Sequence, residues 1–170
     1  MCCRNCTVAS KTFDFTEITL QQLLIQSTLG SAMTTKFHKF YLKITAIVVG
    51  SFGPIFFLGT MVATAEPARL TLDLLSWPID GAQNYDASTT RFLSALTGGF
   101  LFGWGVMIWC LQKWVYDLAP EAVRKSVLAG LLAWFCLDSA GSAASGNVSN
   151  VFFNVIVLLT AVGPLWKRAN

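Results

Sequence analysis

Asp138, Ser142 and Ser145 stand at i, i+4 and i+7, and Asn147, Asn150 and Asn154 stand at i, i+3 and i+7, on either side of Gly146. Each spacing gathers its side chains on one helical face. Folding the chain about Gly146 sets Asp138 opposite Asn154, Ser142 opposite Asn150 and Ser145 opposite Asn147. Asparagine amides donate, carboxylates accept and serine hydroxyls do both, so matched edges of this kind can hold an acid inside an apolar setting. Such a cluster could clasp two helices, line a binding pocket or pass a proton. Arg91, Ser94 and Thr97 occupy the start of another apolar run and could contribute at the same depth. Arg91 is the candidate counter-ion for Asp138, although a helical side chain tilts toward its own N-terminus and here away from the acid.

Other reactive side chains are less favourably placed. Cys3-Arg-Asn-Cys6 spells C-x-x-C, but no second pair at metal spacing and no strand-helix-strand setting accompanies it. Asp73, Asp80 and Asp86 could act as paired carboxylates, yet simpler roles fit them. Asp80-Gly81 is a turn signal, Asp86-Ala-Ser-Thr has the form of a helix N-cap, and ARLTLDLLSW reads as a short amphipathic helix on a membrane surface. His38, the single histidine, sits among lysines, where a headgroup-facing role is expected. No Cys/His pair, Ser/His/Asp set, metal cluster or glycine-rich phosphate loop can be assembled within the apolar runs. Neither a catalytic set nor a metal or cofactor is expected.

The elements that must position these residues follow from composition. Charged residues make up 12% of the chain, against ~25% in soluble domains, while 54% are hydrophobic. Too little charge is present to cover a water-facing surface, and lipid is the expected surrounding. A net charge of +3 without a basic patch gives nucleic acid no footprint. The apolar runs Ile44–Ala65, Phe92–Leu111, Val127–Ser145 and Val148–Leu165 each approach the ~20 residues that cross a bilayer. An all-α integral membrane bundle of four helices is predicted over residues 36–170. The last two helices, joined by a few residues, must be antiparallel neighbours.

Basic residues set the expected orientation. Arg4, Lys11, Lys36, Lys39 and Lys43 precede the first run, Lys113, Arg124 and Lys125 separate the second from the third, and Lys167 and Arg168 follow the fourth. Arg69 and Arg91 alone fall in the intervening outer segment. By the positive-inside rule both termini face the cytoplasm. Met33 followed by basic residues and an apolar run has the layout of a start, so residues 1–35 are expected to be a disordered or over-extended leader. Ala63-Thr64-Ala65 after the first run also fits a signal-peptide cleavage site, although that run exceeds the 7–15 apolar residues such signals prefer.

Small residues supply close-packing surface. Gly98, Gly99 and Gly103 mark the second run, with a Gly99-x-x-x-Gly103 pair suited to a homo-oligomer, and Gly141 marks the third. Pro54 removes a backbone donor from the first run and predicts a kink.

The stretches LDLLSWPIDG, TTRFLSALTGGFLFGWGV and LDSAGSAASGN, within a similarity running from about Met33 to Trp166, resemble a group of small uncharacterised bacterial inner-membrane proteins, similar in layout to the DoxX-like family. The resemblance implies a multi-pass helical bundle in a bacterial cytoplasmic membrane and implies no activity. The expected function is non-enzymatic binding or association around a polar pocket at Asp138. Alternatives are a small-solute or proton-coupled transporter subunit, or a membrane enzyme using Asp138 or the outer carboxylates.

Overall fold

The computed structural model describes the backbone of residues 15–168 and the side chains of residues 35–168. Five α-helices are present, α1 (Phe15–Leu58), α2 (Glu66–Ser76), α3 (Ser88–Cys110), α4 (Pro120–Ala144) and α5 (Val148–Val162), and no strand occurs among the described residues. Four segments are long and apolar enough to cross a membrane: Thr35–Leu58, Ser88–Val115, Pro120–Ala144 and Val148–Trp166.

The first span differs most from its expected bounds. The helix is already formed ahead of Ile44, with Lys36, Lys39 and Lys43 inside it. Long cationic side chains can lie along a helix while their heads reach water. It ends at Leu58, where Thr64 Oγ1 donates to the Leu58 carbonyl at 2.7 Å and satisfies one of the orphan acceptors of the last turn. The backbone is helical from the first described residue, Phe15, so residues 15–35 of the expected leader are part of α1. Residues 1–14, with Cys3 and Cys6, lie outside the described residues. Pro54 sits inside α1, and Ser51 Oγ donates to the Val48 carbonyl at 2.8 Å in the turn before it.

The spans associate as two pairs, α1 with α3 and α4 with α5. Glycine makes the first pair possible. An added Cβ on Gly105 would stand 2.6 Å from the Gly50 Cα, and one on Gly98 would stand 2.8 Å from the Gly53 carbonyl oxygen. The two backbones therefore touch where side chains would hold them apart. Gly99 and Gly103, the pair suited to a homo-oligomer, and Gly141 on α4 have nothing within 4 Å of an added Cβ. Gly99 is turned about 100° from Gly98 around the axis, which carries it and Gly103 off the face that meets α1.

The α4–α5 turn is set by Gly146 at φ 84°. Gly146 N donates to the Ala143 carbonyl at 3.2 Å and Asn147 N to the Ser142 carbonyl at 2.8 Å, the paired bonds of a Schellman stop. Pro120 opens α4, where its missing donor costs nothing, and Glu121 complements the helix dipole.

The pairs meet chiefly at the end away from α2. A core of Leu42, Ile108, Tyr116, Val123, Leu131 and Leu165 lies there, while a smaller cluster of Phe56, Ala65, Ala68 and Tyr85 lies under α2. Between α3 and α4, Trp104 lies against Trp134, ring centroids 6.3 Å apart. Apolar side chains such as Phe100 (76% exposed) and Leu137 (79%) point outward, as a lipid-facing surface requires.

Candidate functional site

The matched polar edges of α4 and α5 lie at the α2 end of the molecule. Asn154 and Asn150 both donate their amides to Asp138 Oδ2, at 2.5 and 3.0 Å. Asn150 also donates to Ser142 Oγ at 2.8 Å, Asn154 to Ser139 Oγ at 3.2 Å, and Asn147 to Ser145 Oγ at 3.3 Å. The Asn150 and Asn154 amides come from α5 and their acceptors from α4, while Asn147 and Ser145 are the caps that flank the turn. The register follows from the short turn: a helix that stops at Ala144 and restarts at Val148 must face its own preceding turns.

Asn154 is buried and Asp138 half-buried. The acid also borders a shallow, open groove of about 430 Å³ along α4, lined by Trp134, Leu137, Asp138, Gly141, Ser142 and Ser145. One carboxylate oxygen thus takes both amide donors, while the side chain also fronts an open space. The arrangement can present a preorganised negative or hydrogen-bond-accepting centre to a molecule entering beside α4.

The α3 residues do not join this cluster. Arg91 Nη1 donates to the Tyr85 carbonyl at 3.0 Å and to that of Asp86, closing the loop before its own helix. No ion pair joins Asp138 to a cation among the described residues. Ser94 is buried against α1, donating to the Phe56 carbonyl at 2.7 Å, and Thr97 is exposed. The reason is the pairing of helices: α3 packs on α1, and it is Ser94, Gly98 and Gly105 that it turns toward that helix.

The chain matches no protein-family model, no curated protein and no solved structure.

The acids of the α2 segment are separate. Asp80 Oδ1 accepts from Ala82 N at 2.9 Å in the turn at Gly81. Asp86 does not cap α3; the N-cap is Ala87. Asp73, within the stretch read as an amphipathic surface helix, is 2% exposed and accepts from Gly81 N at 3.0 Å, because the 77–87 loop folds back over α2.

A second polar cluster, at the opposite end, was not anticipated from the residues. His38 is 1% exposed; its Nε2 donates to the Pro164 carbonyl at 2.9 Å, leaving Nδ1 to accept from the Tyr116 hydroxyl at 3.1 Å. Arg124 donates from Nη1 to the Leu165 carbonyl at 2.9 Å and grips Glu121 through Nε and Nη2. Lys39 pairs with Asp117 at 2.7 Å on the surface. These contacts tie α1, α4, the π turn Leu111–Val115 and the 3-10 turn Gly163–Trp166 together. A signal was available in the lone histidine and in a tyrosine beside a charged loop, but the partners are 78 and 126 residues away from His38. All its polar atoms are matched, so it reads as a fastening.

Burial pushes the Tyr116 hydroxyl above its ordinary value of 10.0, reinforced by Asp117 and Glu121 and opposed by Arg124. A raised folded-state value stabilises the fold below the unfolded value and loses that contribution as pH climbs through the folded one. Detergent-solubilised protein is expected to lose melting temperature above about pH 10, and Tyr116→Phe to flatten that decline. Parallel alkaline profiles for the two proteins would refute the assignment.

Proposed function

We propose that this chain is a non-enzymatic multi-pass protein of the bacterial inner membrane that binds its ligand at the polar groove beside Asp138. Both termini face the cytoplasm in this reading. It is supported by Lys36, Lys39, Lys43, Lys113 and Lys125 gathering at one end, against Arg69 and Arg91 at the other. The groove then opens toward the outer leaflet, with α2 lying on the outer surface as an amphipathic cover. The exposed Gly99 and Gly103 face of α3 is where a second copy would pack.

One observation carries the reading: a carboxylate on a membrane-length helix, braced by two amides on a single oxygen, borders open space instead of being enclosed. Intramembrane acids are costly and are retained where they act. Its neighbours are Asn and Ser, side chains that bind and orient but do not exchange protons near neutral pH, which favours binding over catalysis.

Two variants test this. Asp138→Asn keeps an acceptor for Asn150 and Asn154 and should cost less than about 1 kcal/mol, while Asp138→Leu strands both amides and should cost about 1–3 kcal/mol. Melting in detergent and growth of a strain lacking the gene are read together. The Asn variant is expected to fold and fail to restore growth. If it restores growth fully, the carboxylate has no functional role.

A further inference from the structure

The groove has a polarity gradient that suggests what enters it. Ser145, Ser142 and Asp138 descend α4 from its end toward the middle of the span, and Asp138 lies about 9 Å below Ala144 at 1.5 Å rise per residue. Leu137 and Trp134 continue the lining toward the interior. A molecule filling this track must be polar at the level of the helix end and apolar below or beside it. It must also answer the carboxyl of Asp138, whose Oδ1 takes neither amide. Both amide donors reach Oδ2, and no lysine, arginine or histidine pairs with Asp138 among the described residues. An ionised carboxylate at membrane depth finds a cation or a strong donor, because hydrocarbon supplies neither. Trp134, on the same wall, adds apolar surface for the part of the molecule below the charge.

We propose that the groove takes the ammonium head of an acyl-chain-bearing amine, a lipid of the surrounding leaflet, with Asp138 as its counter-ion, Ser142 and Ser145 hydrogen-bonding the head, and Trp134 and Leu137 against the chain. This rests on the groove reading above and names its ligand class. A free water-soluble amine offers the same head, but the groove opens sideways onto apolar surface, where Leu137 is 79% exposed, and that favours the lipid-borne source.

The test uses the full chain in a non-ionic maltoside detergent. Binding of dioleoylphosphatidylethanolamine, dioleoylphosphatidylglycerol, dodecylamine, dodecanol and ethanolamine is followed by native mass spectrometry and by the shift in melting temperature. Phosphatidylethanolamine and dodecylamine are expected to bind about tenfold more tightly than phosphatidylglycerol and dodecanol respectively. Ethanolamine at the same concentration should neither bind nor compete. Asp138→Asn, checked for unchanged melting, should erase both preferences, and Trp134→Leu should weaken dodecylamine while leaving the preference over dodecanol. Dodecanol binding as tightly as dodecylamine would overturn the proposal, since that is how a protonated carboxyl behaves. Ethanolamine binding as tightly as dodecylamine would overturn it in favour of a free solute. An amine preference that survives in Asp138→Asn would overturn it as well. Should no amphiphile bind while Asp138→Asn still folds and fails to restore growth, this inference falls and the functional role of the groove stands.

Discussion

Arg124→Leu is expected to lower the stability of the folded bundle by about 3 kcal/mol, the loss expected when one partner of a buried, charge-assisted cluster is removed. Arg124 is 8% exposed and holds three things at once. Its Nη1 serves the Leu165 carbonyl at 2.9 Å and the Trp166 carbonyl at 3.4 Å, and its Nε and Nη2 serve both oxygens of Glu121. Leucine leaves the carbonyls of the Gly163–Trp166 turn short of a donor and removes the cation from a carboxylate that is 35% exposed, so solvent recovers part of the loss. Arg124→Lys keeps the charge without the planar fork, and about half the loss is expected. Melting in detergent and the rate of proteolysis near the C-terminal turn measure both effects. Unchanged melting in the leucine variant would mean that the turn is held by Leu165 packing alone.

Gly105→Val should destabilise by about 2–3 kcal/mol, while Gly99→Val should stay within about 0.5 kcal/mol of the parent. The contrast is between two glycines of one helix. A Cβ at position 105 would stand 2.6 Å from the Gly50 Cα and 2.7 Å from the Ala46 carbonyl oxygen, both backbone atoms with no rotamer to yield, whereas one at position 99 meets nothing. A branched side chain at 105 must therefore push α1 and α3 apart along their contact. Ser94, which donates to the Phe56 carbonyl across the same seam, would be strained with it. Comparable melting temperatures for the two variants would show that the α1–α3 seam is not close-packed.

What could be read from residues alone divides by distance along the chain. The facing of Asp138 with Asn154 and of Ser142 with Asn150 is legible because a turn around one glycine leaves a helical hairpin a single register. Four membrane-length segments are legible because lipid imposes a length and a composition that few other settings share. Helix partnership is not. Apolar helices have no preferred neighbour in their hydrophobicity, so the choice of α1 for α3 lies in where Gly50, Gly53, Gly98 and Gly105 fall around the axis. Read as a general small-residue surface, the same run lends equal weight to Gly99 and Gly103, which face outward, and sets Arg91 within reach of an acid it does not meet. His38 misleads for a related reason. Lysines beside it point to water, but a histidine one step round the helix meets a tyrosine and a carbonyl supplied by distant turns.

The widened turn at Leu111–Val115 changes the phase of the chain. Tyr116 N bonds the Leu111 carbonyl at 2.9 Å, a span of five residues in place of four. Counted from the buried Ile108 at about 100° per residue, a uniform α-helix would aim residue 115 inward and swing residue 116 roughly 80° aside. The one-residue slip returns Tyr116 to the inner face, where it is fully buried, and leaves Val115 outside. A single rod thereby addresses two stations on α1, its glycine seam upstream and His38 downstream. The number of residues between Ile108 and Tyr116 is accordingly constrained in a way that their identities are not.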